Sequence, residues 1–470
     1  MNASDIVNGG QWLFLAYFVG INLGYLIQNV IAAAGIRRYL QTAQQHEAEN
    51  VFSALDIPIS LVVPAYNESA SIITSVKAML QLEYPQYELI VVNDGSTDDT
   101  LQKLIDAFDL REFPEAYRAR LKSSDVRCIY HSKRIRNLRV VDKENGGSKA
   151  DASNAGINAC RYPLVCVVDA DSILQPDSLR RVVRPFLEDP TTVAVGGTVR
   201  IANGCTVRQG FLEKVGLPRN FLALVQVVEY LRAFLFGRMG WSPINGLLII
   251  SGAFGLFHKE TLVEAGGFNP DAVGEDMELV LRLHRLMKAK HKPYRITFVP
   301  DPVCWTDAPE NLKDLKSQRV RWQHGLGQAL MLNRSLIGNR YGGAVSWVAI
   351  PFYLVFELFG PIIEVTGYLF IVVSACAGWL SWPEAGIFLG LAIGLGVLLS
   401  TSAIMLEELS FHMYPRLQQL ATLYLVAIVE NFGFRQLTAI WRFQGLVRWL
   451  RGGKHKWETI TRSTSLAEED

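Results

Sequence analysis

The chain lacks any excess of charge: 46 Lys and Arg stand against 45 Asp and Glu, a formal net charge of +1. A nucleic-acid binder carries a basic surplus, so no nucleic-acid partner is expected. Cysteine is sparse. Cys128, Cys160, Cys166, Cys205, Cys304 and Cys376 show no paired spacing and no histidine at zinc-site offsets. That excludes a disulfide scaffold and a zinc module, and it suits a reducing compartment. Charge is absent from Trp12 to Ala34, a run long enough to cross a bilayer and too long for a signal-peptide core. Lys and Arg are also missing from Met1 to Gly10, whereas Arg37 and Arg38 follow the run. The positive-inside rule then sets the amino terminus outside and Arg37 in the cytoplasm.

What is present is apolar at both ends. Half of the 470 residues are hydrophobic, and a chain of this length is expected to form more than one unit. Residues 1–40 are expected to be an amino-terminal transmembrane helix, and 41–340 a cytoplasmic catalytic domain opening on a polar linker, 41–56. Residues 341–440 read as interface and transmembrane helices, and 441–470 as a basic cytoplasmic tail with Arg442, Arg448, Arg451, Lys454 and Lys456. An even number of crossings must separate the domain from that tail. One span within 344–380 and one at 385–406 satisfy this. Residues 417–440, carrying Glu430, Asn431 and Arg435, then lie in the interface or re-enter. A broken pair of spans inside 344–380 plus a true span at 417–440 is the alternative. Glu357 and Glu364, seven residues apart, project from nearly one helix face. They either line a wet path or pair with Arg or Lys and pin an interface helix.

Within 41–340, short apolar runs end in polar loops. Residues 59–64, 88–92, 139–141 and 164–168 read as buried strands, with helices at 69–82 and 100–108. This alternation predicts an α/β fold, a mostly parallel sheet covered on both faces, with ligands at the carboxyl ends of the strands. Those ends carry Asn67 and Glu68, Asp94, and Asp169 with Asp171. A basic stretch from Arg118 to Lys143 reads as a solvated surface insertion or as a contact with anionic lipid headgroups.

Three constellations carry chemistry. Asp169 and Asp171 follow the strand at 164–168, and alternate residues of an extended chain point the same way. They can then hold one hard cation, Mg2+ or Mn2+, against phosphate oxygens; otherwise they cap a helix. Glu275 and Asp276 precede an expected helix at 277–287. They are either carboxylates favoured by the helix dipole or a general base for an acceptor hydroxyl. Gln318, Arg321 and Trp322 fall at i, i+3 and i+4 of a helix and share a face. Arg321 can fork onto a diphosphate, and Trp322 can stack on a sugar ring. Lys149 follows Asn145-Gly146-Gly147-Ser148 and can bring an ammonium to phosphate. Ser251-Gly252-Ala253-Phe254-Gly255 either lets an acceptor sugar approach or packs a strand. One base and a metal-held leaving group imply a single displacement, hence inversion at the anomeric carbon.

In this order, over roughly residues 57–335 and between apolar segments, these motifs resemble the processive, membrane-embedded family 2 glycosyltransferases. These include cellulose, hyaluronan, chitin-oligosaccharide and poly-N-acetylglucosamine synthases. The resemblance implies a GT-A catalytic domain with Tyr66, Glu68 and Asp94 at uridine. It implies Lys149 and Arg321 at the diphosphate, Asp169 by the nucleotide, Asp171 on the metal, Asp276 as base beside Glu275, and Gln318 and Trp322 at the acceptor. It further implies a UDP-sugar donor (glucose or N-acetylglucosamine), a growing polysaccharide acceptor, lipids of the inner (plasma) membrane as surroundings, and an accessory export subunit as a partner. A non-processive transferase acting on a lipid carrier shares the nucleotide and metal residues but does not need Gln318-Arg321-Trp322. Asn93 stands where such synthases commonly have Asp, and Gly274 where many have Thr. Trp457 to Arg462 looks like the gating segment of hyaluronan synthases. The residues after Arg462 leave no room for a cyclic-dinucleotide-sensing domain, so regulation by that route within the chain is not expected.

Overall fold

The computed structural model describes residues 3–49, 56–379 and 381–452. After the long helix α1 (Ala3–Glu49), strands and helices alternate. The first part holds β1 (Ile59–Ala65), α2 (Ile72–Met79), β2 (Tyr87–Asp94), α3 (Thr100–Phe108), β3 (Leu110–Glu112), β4 (Val126–Ser132), β5 (Leu138–Lys143) and α4 (Lys149–Ala159). Then come β6 (Leu164–Val168), β7 (Ile173–Leu174), α5 (Ser178–Glu188), β8 (Thr192–Ile201), the hairpin β9 (Thr206–Arg208) and β10 (Phe211–Lys214), and α6 (Phe221–Leu231). β11 (Phe254–His258), α7 (Lys259–Glu264), α8 (Glu275–Ala289), β12 (Arg295–Thr306) and α9 (Leu312–Leu332) complete the domain.

Ten strands form one sheet in the order β3-β4-β5-β2-β1-β6-β11-β8-β12-β7. β5, β2, β1 and β6 run parallel, and β11 is antiparallel to both β6 and β8. Every residue of β2, β5 and β6 is buried, as a strand covered on both faces requires. The expected strands are all present. The basic stretch is largely β4, β5 and their flanks, and most of its basic side chains are exposed, as the solvated reading expects. Arg139 and Lys143 are buried, Arg139 on Glu88 at 2.6 Å. Arg120 pairs with Glu260 at 2.8 Å.

The linker expected at 41–56 is helical as far as Glu49. Residues 39–49 hold no Gly or Pro and several good helix formers, so nothing stops α1 at the membrane boundary. Gly9–Thr42, Val345–Cys376 and Ala385–Ser410 are long and apolar enough to cross a membrane. The second is composite. Two π-helical turns, Val345–Ala349 and Tyr353–Leu358, flank the single turn α10 (Ile350–Phe352), and α11 (Gly360–Cys376) follows. The third lies in α12 (Trp382–Ser410). Glu357 pairs with Arg442 at 2.9 Å and accepts from Tyr25 of α1, while Glu364 accepts from Tyr17 at 3.3 Å. Both acids therefore face α1, and Glu357 takes the pairing role.

Residues 417–440 divide into α13 (Leu417–Val429) and the start of α14 (Phe434–Leu450). α13 is roughly 20 Å long, short of the ~30 Å hydrocarbon core. The break has a local cause. Glu430 is fully buried between Arg232 and Arg435, and Gly433 takes φ 96°, a conformation suited to glycine. Residues 441–450, expected as a loose tail, are helical and pack on α9. A Cβ on Gly445 would lie 2.6 Å from the Val320 carbonyl, and one on Gly327 2.6 Å from the Trp449 ring. Lys454, Lys456 and Trp457 to Arg462 lie outside the described residues.

Candidate active site

The carboxyl ends of β1 and β2 are tied together first. Asn67, at φ 56°, receives a backbone bond from Thr97 at 2.8 Å, and its own N–H donates to Ser96 Oγ at 3.0 Å. This leaves Tyr66 exposed and seats Glu68, whose N–H donates to Thr100 Oγ1 at 2.9 Å. Asp94 is less accessible than a nucleoside ligand would suggest. Sheet register places it opposite Lys143, which is fully buried and pairs with Asp94 and, at 2.7 Å, with Asp151. Asp94 also accepts from Gly146 N at 3.1 Å, so it fixes the glycine turn that leads to Lys149. The same register sets Asn93 against Asp142, with a 2.6 Å bond from its amide. An Asp at 93 would place two buried carboxylates together, which accounts for this departure from the synthase pattern.

Lys149 opens α4. Ser148 caps that helix by accepting from Asp151 N at 3.2 Å. Gly146 is required because a Cβ there would collide with the Asp151 carboxylate. The Lys149 ammonium pairs with Asp169 and donates to the Gly252 carbonyl at 2.7 Å. Burial lowers its affinity for a proton, but Asp169 and Glu275 outweigh that and leave its pKa raised. Asp169 and Asp171 do not lie on an extended strand. β6 ends at Val168 and the chain turns, Ser172 N donating to the Asp169 carbonyl at 3.1 Å. The two carboxylates leave that turn beside β11, because Asp169 N also reaches the Ala253 carbonyl.

Gly252 is the bridge of the site. Its carbonyl takes Lys149, and its N–H donates to Asp276 Oδ2 at 3.2 Å. Within the Ser251–Gly255 stretch, Phe254 and Gly255 lie in β11, while Ser251 and Gly252 line the cleft. Glu275 and Asp276 form the first turn of α8 rather than preceding it, where helix N–H groups favour acids. Met277 N donates to Asp276 Oδ1 at 2.8 Å. Two backbone donors thus aim at one carboxylate. Burial, then Asp276, pushes the neighbouring Glu275 carboxyl up to about 7, with Lys149 acting against both. One small cavity is lined by Lys149, Ser251, Gly252, Glu275 and Asp276.

α9 closes the site. Gly325 sits against Gly274, where a Cβ would lie 2.9 Å from the Gly274 nitrogen. Gln328 grips the same loop through Val273 N at 2.8 Å. A Cβ at 274 would lie 3.3 Å from the Gly325 Cα, so a side chain there would press on α9, which bears on the second departure. Gln318, Arg321 and Trp322 precede Gly325 by seven, four and three residues, so they share its face. Gln318 is buried and its Oε1 has no hydrogen-bond partner. Trp322 is exposed and carries the Arg319 guanidinium over its ring at 4.6 Å. Arg319 itself reaches Glu229 of α6 at 2.6 Å. Sequence reasoning missed Lys143, Gly325 and Arg319. Only the contiguity of Arg319 with the Gln318-Arg321-Trp322 motif offered a signal.

Known proteins place this geometry. The family described as "Glycosyltransferase like family 2" matches residues 57–325. Poly-beta-1,6-N-acetyl-D-glucosamine synthase of Staphylococcus epidermidis is 29% identical over 273 residues, 58% of this chain and 55% of that protein. The same-named synthase of Staphylococcus aureus (strain COL) is 30% identical over 275 residues, with the same coverage. The match thus spans about half the length of these relatives. Among solved structures, a mannosyltransferase from Pyrobaculum calidifontis, in complex with GDP-Man and Mn2+, covers 90% of this chain and 99% of its own at TM-score 0.52 and 19% identity. That likeness confirms the GT-A fold, and the matched region holds the whole site from Tyr66 to Trp322. The chain belongs to glycosyltransferase family 2.

Proposed function

We propose that the protein is a processive, inverting synthase that extends a β-linked polysaccharide from a UDP-sugar and passes it across the membrane. The observation that carries this reading is the convergence at Gly252 of Lys149, with Asp169, and of Asp276, beneath a helix presenting Gln318, Arg321 and Trp322. UDP-N-acetylglucosamine is the favoured donor, because the curated relatives matching this region are poly-β-1,6-N-acetylglucosamine synthases. Tyr66 and Glu68 stand where a uridine would lie. Asp94 acts from behind by fixing the glycine turn.

A divalent cation fits the donor set. No three His, Cys, Asp or Glu among the described residues form a metal cage. Mg2+ and similar ions commonly take one or two carboxylates and complete their shell with phosphate and water. Asp169 and Asp171 supply such carboxylates; bound there, the ion would neutralise the leaving diphosphate. Lys149 is placed to move from Asp169 to a phosphate oxygen. Asp276 takes the proton of the acceptor hydroxyl, which attacks the anomeric carbon as the bond to diphosphate breaks. Arg321 and Lys149 hold the departing UDP, and Trp322 with Gln318 holds the acceptor.

Purified protein should release UDP from UDP-N-acetylglucosamine in preference to other UDP-sugars, and its product should run as a ladder or polymer. A single adduct would replace this reading with a lipid-carrier transferase. No UDP release from any sugar nucleotide would remove it. The catalytic domain is placed on the cytoplasmic side of the inner membrane because Arg37 and Arg38 follow the first apolar run. A cysteine at Arg451, in a background without native cysteines, should resist an impermeant thiol reagent added to intact cells; ready labelling would reverse the orientation.

A further inference from the structure

The cavity at Gly252 has walls of two kinds. Lys149, Ser251, Gly252, Glu275 and Asp276 are half-buried and form its side toward the cleft. A Cβ on Gly252 would lie 3.6 Å from Lys149 Nζ and 3.8 Å from Asp276 Oδ2. The space that this glycine leaves open therefore touches both the cation assigned to the diphosphate and the base. Val167, Ile250, Phe257 and Phe268 are buried and form the inner, apolar side. These walls are held in place. Asn154 of α4 accepts from Phe268 N and donates to the Phe268 carbonyl, each at 2.8 Å. The Phe268 ring meets the Phe257 ring edge-on, centroids 6.0 Å apart.

Ser153 completes the inner side. It follows Lys149 by four residues on the same face of α4, about 6 Å along the helix. It is 1% exposed, and among the described residues its hydroxyl has no hydrogen-bond partner. A buried hydroxyl left unpaired is costly. This one borders free space of about 10 Å³, enough for one small group.

Position says which part of the donor would enter. In the transfer proposed above, the anomeric carbon lies between the diphosphate, at Lys149, and the acceptor hydroxyl, at Asp276. That carbon has two ring neighbours. One is the ring oxygen, which carries no substituent; the other is C2. A cavity that opens between Lys149 and Asp276 thus faces the C2 substituent before any other group of the sugar. A C2 hydroxyl ends one bond from the ring, so it stops at the mouth and leaves the inner side unused. An acetamido group reaches three bonds in. Its carbonyl oxygen can accept from a serine hydroxyl, and its methyl can cover apolar walls.

We infer that this cavity receives the 2-acetamido group of the donor sugar, the Ser153 hydroxyl donating to its carbonyl oxygen, and that Ser153 thereby selects N-acetylglucosamine over glucose. This rests on the synthase reading of the site and deepens it by naming a residue that reads the sugar. No covalent bond is made or broken at Ser153.

The test compares two donors that differ only at C2. Full-length protein in detergent, with Mn2+ and without acceptor, is titrated by calorimetry with UDP-N-acetylglucosamine, UDP-glucose and UDP, as wild type, S153A and S153V. Wild type should bind UDP-N-acetylglucosamine more tightly than UDP-glucose. S153A should reduce that preference about three- to ten-fold, the worth of one hydrogen bond. S153V also fills the cavity and should reduce it about ten-fold or more. Affinities for UDP-glucose and UDP should stay within about two-fold of wild type. Alanine is a better helix former than serine, so S153A carries the test if S153V does not fold. An unchanged preference in the folded variants overturns the inference, and so does a wild type that favours UDP-glucose. Equal losses for all three ligands, the mark of a structural role, overturn it too. A Ser153-dependent preference in a protein that transfers only a single sugar defeats the polymerase reading and leaves this role of the cavity standing. Polymer made from UDP-N-acetylglucosamine, with the preference unchanged in both variants, does the reverse.

Discussion

Asp276→Asn lowers sugar transfer by about 10²–10⁴-fold, the scale of a lost general base, while UDP affinity moves by less than about two-fold. The side chain keeps its size, and its one carbonyl oxygen can still accept from either Gly252 N or Met277 N, while the amide nitrogen replaces the other acceptor. The capacity to take a proton from the acceptor is gone. The loss should fall on turnover rather than on donor binding. Retention of more than about a tenth of wild-type turnover would take the base role from Asp276. Glu275 adds a pH signature. Its carboxyl rises from 4.5 to about 7, so between those values the folded chain holds a proton that the unfolded chain has released. That stabilisation is fully present below pH 4.5 and lost as pH rises through about 7. Wild-type melting temperature should fall across this window, and Glu275→Gln should flatten the fall. A wild-type curve no steeper than that of Glu275→Gln would show that Glu275 does not hold the proton.

Much of the sheet was readable because its strands carry their burial in their composition. Leu164–Val168 is apolar throughout and buried throughout, and the strand ends announced themselves by Asn93-Asp94 and Asp169. What composition does not carry is register and distance. Asp94 read as a ligand-facing acid, and what the sequence does not show is that Lys143, one strand over, pairs with it while it also accepts from Gly146 N. Gly274 read as a departure of no chemical weight, yet it meets Gly325 of a helix fifty residues later. The turn at Asp169–Ser172 was hidden because nothing in Asp-Ala-Asp-Ser distinguishes an extended exit from a turn.

The membrane half was legible to a coarser degree. Uncharged length identified helices long and apolar enough to cross a membrane, and the polar residues in 417–440 marked a segment that divides into two shorter helices. Their partners were not visible. Arg232, from the catalytic domain, reaches Glu430, and Arg200 of β8 reaches Glu407 of α12. Each buried pair bolts the sheet domain to an apolar helix, and breaking one would strand a buried charge at about 3–5 kcal/mol. These links, together with α14 on α9, make the Trp322 helix a shared element of the catalytic and membrane parts. A polymer leaving Trp322 would therefore meet helices already fixed relative to the base.

Chelation silences the wild-type enzyme, and Asp171→Ala lowers transfer by at least about a hundred-fold, with cation-dependent UDP binding weakened alongside. The expectation follows from charge. Transfer develops negative charge on the leaving diphosphate, and within the cleft Lys149 is already shared with Asp169 and with the Gly252 carbonyl. Asp171 and Asp169 would hold a divalent ion that would supply the missing positive charge. Without Asp171 the remaining carboxylate, Asp169, is still claimed by Lys149, so added Mn2+ should restore only part of the activity. Binding separates this from a folding effect: Asp171→Ala should bind UDP in excess chelator as wild type does, because neither then has a cation to share. Full wild-type activity in excess chelator would remove the metal from the reaction and leave Lys149 and Arg321 as the groups that neutralise the diphosphate. Equal cation dependence of UDP binding in wild type and Asp171→Ala would move the ion to another ligand.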